Sequence, residues 1–275
     1  MKKNLLILFL LSMIPFSSTA QNAVYITLHG GGAYNQFKPG KLNDFVNSYN
    51  NYYSQYLSDP MDPFSTTMTG FRKGMGLFFN GNKSCIGFEY SKVRYKQSSS
   101  AAFSSNMNRT VDIEFVNWDF NFETGFRIGK NGSFGLLYGT TYRTGKITSY
   151  VWWNDKKNKS LEHYYALNGV YKGIPQTDLN LGINLRIPLL PFVALQMQAY
   201  YAFPLFEKSA LPNESAFSDD GPGKNLYTTY FPYDVEQYFN NISNAVYDYD
   251  QNVIANRFRG LYVNASIITT IKVTK

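Results

Sequence analysis

The chain has 275 residues, a formal net charge of +7, 17% aromatic residues and a single cysteine, Cys85. One cysteine excludes an intrachain disulfide framework, and from Gln21 onward there is no apolar run of the roughly 20 residues that a spanning helix needs. The basic balance does not point to nucleic acid, because the first residues mark the chain for export.

Those residues, MKKNLLILFLLSMIPFSSTA, place Lys2 and Lys3 before an apolar stretch that closes on Ser18, Thr19 and Ala20. This is the pattern of a bacterial secretory signal peptide over residues 1–20, cut after Ala20, with residues 21–275 as one mature domain. Gln21 and not cysteine follows the cut, which argues against a lipoprotein. Loss of the two lysines lowers the formal charge from +7 to +5.

The first strand is expected over Ala23–Tyr34, followed by a long loop from Asn35 to Thr69. Inside that loop Leu42, Phe45, Val46, Tyr49, Tyr52, Tyr53, Tyr56 and Leu57 recur at helical spacing and stop before Asp59 and Pro60, which predicts a short helix. Gly70–Phe79 and Lys83–Lys96 read as a hairpin around the turn NGN, and a short Ser-rich loop then leads to Arg109. Thr110–Ile128 and Ser133–Ser149 are joined by GKNG, with a slip of the alternating phase between Phe115 and Val116 that signals either a bulge or the upper edge of a lipid zone. A loop containing WWNDKKNKS reaches Gln176. Thr177–Phe203 forms a hairpin about PLLP, because two prolines three apart exclude a helix while the apolar residues on both sides alternate at a period of two. The last long loop runs to about Ala255 with a second helical pattern over Asp234–Val246, and Phe258–Val273 closes the chain. Eight strands result, with tight turns at one end and long connections at the other. A ten-stranded count stays open if WWNDKKNKS forms a further hairpin at membrane depth.

The two faces differ in kind. One carries Ile26, Leu28, Phe88, Phe120, Phe122, Leu136 and Ile267; the other carries His29, Glu89, Asp119, Asn121, Glu123, Gly139 and Asn264. A polar face rich in Gly and Asn suits a cramped interior, with the apolar face turned to lipid. The expectation is an all-β, eight-stranded antiparallel transmembrane β-barrel with long extracellular loops and short helices in the first and last of them.

The export signal, the eight alternating strands, the NGN, GKNG and PLLP turns and the long Tyr- and Asn-rich loops resemble the small outer-membrane β-barrel proteins. That group contains the outer membrane protein A barrel and the OmpX and OmpW types, and the abundance of Tyr, Asn and Lys is similar to its Bacteroidetes versions. The resemblance covers nearly the whole mature chain. It implies residence in the bacterial outer membrane, termini in the periplasm and loops outside the cell.

Inward positions offer Glu89, Asp119, Glu123 and Asp178 against Arg72, Arg127, Arg143 and Arg186, a balanced set expected to form a structural polar network in the lumen. The strand ends on the loop side carry Lys73, Lys92, Arg94, Lys96, Arg109, Lys146, Arg257 and Arg259, a basic collar expected to face lipopolysaccharide phosphates or to pair with the acidic last loop. No catalytic, cofactor-binding or metal-ligating set is legible. The mature part has only His29 and His163, no serine sits in an elbow motif, and the Asp219–Gly221 and Asp248–Asp250 clusters match no calcium-loop spacing. The leading functional reading is a structural or surface-interaction role, in envelope integrity, surface contact or as an accessory subunit, with outer-membrane lipid, lipopolysaccharide and a protein as partners. Transport of a small hydrophobic solute is the alternative, and a lipid-modifying enzyme the third.

Overall fold

The computed structural model describes residues 23–36, 39–128, 132–153, 159–160, 167–172, 175–205, 227–228, 234–236, 239 and 260–273. In chain order the elements are β1 (Ala23–Gln36), α1 (Gly40–Tyr52), β2 (Leu57–Asp59), β3 (Thr67–Asn80), β4 (Ser84–Phe103), β5 (Met107–Ile128), β6 (Gly132–Trp153), β7 (Lys159–Ser160), β8 (Gly169–Lys172), β9 (Gln176–Leu190), β10 (Val193–Pro204), β11 (Tyr227–Thr228) and β12 (Gly260–Lys272). Eight of the strands close an antiparallel ring in the order β1, β3, β4, β5, β6, β9, β10, β12 and back to β1.

The register fixes the geometry of that ring. Followed strand by strand from Tyr25, the paired positions are Phe78, Gly87, Glu123, Leu137, Gly182, Tyr200, Tyr262 and then Asn35. One circuit therefore returns to β1 ten residues higher, at Asn35 instead of Tyr25. A climb of about 33 Å over a circumference of about 38 Å tilts the strands by about 40°, within the normal range for closed barrels. The outward side chains of β10 from Val193 to Phe203 then cover about 25 Å of height, which matches a lipid-facing band.

Along β5 the outward positions Phe126, Phe122 and Phe120 are open to the surroundings, while Glu123, Asn121, Asp119 and Asn117 are buried. This apolar-out, polar-in arrangement is what a hydrocarbon solvent imposes, because charges are costly on a lipid-facing wall and are held inside it. Above Val116 the sense inverts: Phe115, Ile113 and Val111 are buried inside, and Glu114 and Asp112 point out. Pairing to β4 and β6 runs unbroken through Phe115 and Val116, so the phase slip is no bulge. It marks the height at which water replaces lipid outside the wall.

Two local expectations are corrected, and the strand count expected in the ring holds at eight. The Ser-rich stretch is strand: β4 continues through Ser98, Ser99 and Ser100 to Phe103, β5 begins at Met107, and the connection is a turn over Ser104–Asn106 with Asn106 at φ 63°. Asn tolerates that left-handed conformation, and the stretch stays extended because β5 pairs with it throughout. Pro188 belongs to β9, paired with Ala194, and the turn falls at Pro191 and Phe192. There β9 has run past its last β6 partner, where Arg186 faces Ser133, so no ladder on that side needs the missing N–H. Among the described residues the WWNDKKNKS region adds no membrane strand. Its β7 pairs with β6 only at Val151 and Trp152. β8 pairs with β6 from Lys146 to Ser149, directly above β9; from the Lys146–Lys172 pair to the Arg143–Gln176 pair, β6 moves three residues while the other side moves four. The registers of β8 and β9 against β6 thus differ by one residue.

Candidate functional site: a filled lumen under a locked cap

The lumen at membrane height is a chain of charge pairs. Arg72, fully buried, forms an ion pair with Glu89 and donates to Ser91 Oγ at 3.2 Å, Ser266 Oγ at 3.3 Å and Gln196 Oε1 at 3.4 Å. Glu89 also accepts from Gln196 Nε2 at 2.9 Å and Gln198 Nε2 at 3.3 Å. Arg143 pairs with Asp178 at 2.8 Å, donates to Asn117 Oδ1 at 3.1 Å and bonds the Tyr262 hydroxyl. Arg186 pairs with Glu123 at 2.7 Å and lies 3.9 Å over the Phe78 ring. Asp119 accepts hydrogen bonds from hydroxyls: Thr141 at 2.6 Å, Tyr200 at 3.2 Å and Ser91 at 3.4 Å. Arg127 is half-buried at the turn end, donating to the Gly81 carbonyl at 3.3 Å. Seven of the eight residues singled out for the lumen therefore meet in it, and Arg127 sits at its floor.

Charge alone would not fit without bare backbone beside it. A Cβ on Gly74 would lie 2.1 Å from the Tyr90 carbonyl oxygen and 2.4 Å from His29 Nε2, so glycine makes the room that His29 occupies. His29 is 6% exposed, and neither ring nitrogen has a hydrogen-bond partner. It supports no nucleophile–base pair. His163, the Asp219–Gly221 and Asp248–Asp250 clusters, Arg257 and Arg259 lie outside the described residues. Among the described residues there is no group of three or more His, Cys, Asp or Glu side chains able to hold a metal.

Towards the loop end the filling turns apolar. Val93, Tyr95, Val111, Ile113, Phe115 and Ile147 line the wall, and α1 lowers Leu42, Phe45, Val46 and Tyr49 onto them. These four lie at i, i+3, i+4 and i+7, the stripe that one helix face presents. Two asparagines seven apart lock the helix to the segment that follows it. Asn43 gives Nδ2 to the Phe64 carbonyl at 3.2 Å and takes the Phe64 N–H at 2.8 Å; Asn50 does the same with Met61, both at 2.9 Å. Tyr200 and Tyr262 stack beneath with ring centres 5.0 Å apart. The sequence reading found the apolar face of this helix and missed both clasps, whose only local signal is the seven-residue spacing of Asn43 and Asn50. Of the second helical pattern, Val235, Glu236 and Phe239 are described as helical, with Phe239 stacked on Tyr52 at 5.1 Å; most of the remainder lies outside the described residues.

The expected collar is a one-sided patch. Arg94 pairs with Glu114 at 2.7 Å, Lys146 with Glu114 at 3.5 Å and Lys96 with Asp112 at 3.6 Å, all on the outer wall above the apolar band. Lys73 and Lys92 also point outward, on β3 and β4. Arg109 does not belong to the patch. It is inward and buried, donating to Ser149 Oγ and Asn168 Oδ1, each at 3.0 Å, with the Tyr49 ring 5.8 Å away. The parity of β5, unbroken by a bulge, puts every odd-numbered residue inside. Burial pushes the Tyr49 hydroxyl pKa up, against the opposing charge of Arg109, so the ring stays neutral under the cap. On β1, β9, β10 and β12 the described outward residues at the same height include Tyr34, Leu179, Tyr201, Phe203 and Leu261.

Two cavities flank the filled region. One of about 30 Å³ at the turn end, lined by Thr27, Phe78, Asn80, Arg186 and Pro188, has room for about one water. A wider hollow of about 570 Å³ opens at the loop end between Asp44, Asn47, Ser48, Asn51, Tyr52, Asp234 and Glu236.

Neither a protein-family model nor a curated protein matches the chain. Among solved structures it is similar to Ail, the attachment invasion locus protein of Yersinia pestis. The crystal structure of Ail in complex with the heparin analogue sucrose octasulfate superposes with a TM-score of 0.40 at 10% identity, over 90% of this chain and 97% of that one. A second structure of Ail gives a TM-score of 0.38 at 10% identity, over 92% and 99%. From its own register and faces, the chain is an eight-stranded antiparallel transmembrane β-barrel whose polar lumen is filled and whose loop end is capped by a locked helix.

Proposed function

We propose that the barrel is exported by way of its first 20 residues to the outer membrane of a Gram-negative bacterium, with termini in the periplasm, and that it acts by contact at the cell surface. The observation that carries this reading is where the protein invests its order. The lumen is closed by ion pairs and an apolar plug, while α1 and the segment after it are held rigidly above the membrane. That cap presents Tyr52 and Tyr56 and the hollow between Asp44, Asn47, Asn51, Asp234 and Glu236. A rigid aromatic and polar face costs little conformational entropy on binding, which suits recognition of a protein or another envelope component. The lysines and arginines of the outer wall face the leaflet in which lipopolysaccharide phosphates lie, so the wall anchors the barrel as the cap makes contact. A surface adhesion role, support of the envelope and service as an accessory subunit all use the same two surfaces.

Solute passage is disfavoured by the packing of Tyr95, Phe115, Tyr200 and Tyr262 across the lumen. Lipid modification is disfavoured by His29, which faces the lumen and not the lipid.

Site-specific photo-crosslinkers at Tyr56 and Asn47 in intact cells, paired with bilayer conductance of the purified barrel, test the reading. Surface-dependent crosslinks to one defined partner and background conductance are expected. Steady conductance, with no crosslink from either position, would replace it with transport.

A further inference from the structure

The apolar band is broken on one side. Outward on β3 stand Phe79, Leu77 and Met75 and then Lys73; outward on β4 stand Ile86, Phe88 and Tyr90 and then Lys92. The register sets Lys73 directly opposite Lys92, with Gly30 of β1 beside the first and Trp118 of β5 beside the second.

Both lysines sit below the top of the band. Tyr34 on β1 and Trp118 on β5 mark that top, as aromatic girdle residues do. Gly30 lies four residues below Tyr34, and each step from β1 through β3 to β4 climbs ten residues over eight strands, a little more than one. Lys73 is therefore about 7 Å, and Lys92 about 4 Å, lower than Tyr34. A lysine stem can carry its ammonium up that distance to the headgroup level. The Lys92 ammonium already rises along the wall, 5.3 Å from the centre of the Trp118 ring.

Two like charges directly opposite on one sheet face destabilise it unless an anion lies between them. Arg94, Lys96 and Lys146 have carboxylates, Glu114 and Asp112; among the described residues neither Lys73 nor Lys92 forms an ion pair. The neighbouring wall of β1 is bare at Gly30 and Gly32, where a Cβ on Gly32 would meet nothing within 4 Å. Phe71, 64% exposed, overhangs Gly30.

We propose that Lys73 and Lys92 clamp one phosphate of an acylated, phosphorylated glycolipid of the outer leaflet, whose chains run down the Met75 and Gly30 wall. This rests on the outer-membrane reading above. The ligand supplies the charge that the pair lacks and lipid contact for a strip where the wall is thin in side chains.

The test is native mass spectrometry of the full-length refolded barrel, titrated with lipid A, with fully dephosphorylated lipid A and with inorganic phosphate. Membrane insertion of each sample is read separately, from protease protection in liposomes. One lipid A per barrel is expected, weakened about thirtyfold in K73Q/K92Q, as the loss of two near-surface lysines implies. It should be restored in K73R/K92R and weakened far less in K96Q/K146Q, whose lysines are already paired with Asp112 and Glu114. Dephosphorylated lipid should bind the native barrel as weakly as lipid A binds K73Q/K92Q, and millimolar phosphate should not compete. Equal binding of both lipids, equal loss in K96Q/K146Q, or full competition by free phosphate would overturn the clamp. So would crosslinking of Lys73 to an acidic protein in cells in place of lipid. A native barrel that fails to insert overturns the reading beneath it; insertion without phosphate selectivity overturns the clamp alone.

Discussion

Asn50 and Met61 bind each other twice, amide to carbonyl and N–H to amide, both at 2.9 Å, and so add a two-bond bridge of the kind found between strands to a place where no strand pairs. Eleven residues of chain are tied by one side chain, and Asn43 repeats the device at Phe64. Together they make the cap an extension of the barrel instead of a loose loop.

Replacing Asn50 with Ala leaves the Met61 N–H and carbonyl without these partners. We expect a local cost of about 1–3 kcal/mol, confined to the cap. Hydrogen exchange should accelerate over residues 57–66, with β5 and β6 protected as before. Asn43→Ala should behave alike at Phe64, and the loss in the double variant should differ from the sum of the two single losses if α1 docks as a unit.

The Arg186–Glu123 pair tests the lumen. Arg186→Met alone strands Glu123 and should cost about 3–5 kcal/mol in urea unfolding from micelles. Arg186→Met with Glu123→Leu should recover most of that loss, because the second change removes the uncompensated charge. A double variant as unstable as the single one would show that the pair contributes more than mutual neutralisation.

Two glycines on neighbouring strands should respond with opposite sign. Gly74→Ala drives a methyl into the Tyr90 carbonyl, which cannot move without the ladder, and should destabilise by about 1–3 kcal/mol. His29→Ala in the same chain should not rescue it, since the carbonyl remains. Gly32→Ala meets open space and should stabilise by about 0.5–1 kcal/mol. Thermal melting in one detergent compares all three.

Arg109→Ala should loosen α1 although Arg109 lies on β5, because its guanidinium joins Ser149 and Asn168 under the Tyr49 ring. The expected readout is faster proteolysis within residues 40–66, with the heat-modifiable mobility of the barrel on gels retained.

What could be read from residues alone follows the solvent. Where lipid wets the wall, as from Phe120 to Phe126, alternation is strict and the inward set of Asp119, Glu123, Arg143 and Asp178 could be named without coordinates. Above Val116 the same strand alternates with the opposite sign, which reads as a phase slip though the pairing never shifts. Ser98, Ser99 and Ser100 have weak strand preference, and only β5 holds them extended. Arg109 was misplaced because its height predicts the outer wall and its parity the lumen, and parity wins in an unbroken ladder. The clasps of Asn43 and Asn50 depend on partners 21 and 11 residues away, which no local pattern reports.

The most direct measurement places a fluorophore on single cysteines introduced at Phe122, Leu136 and Ile183 and, for comparison, at Ser54 on the cap and Asn82 at the turn end, both exposed, in a Cys85→Ser background, with the barrel in liposomes. Quenchers attached to acyl chains should darken the first three labels and spare the last two. Equal quenching by a water-soluble agent at Phe122, Leu136 and Ile183 would contradict a wall that faces lipid.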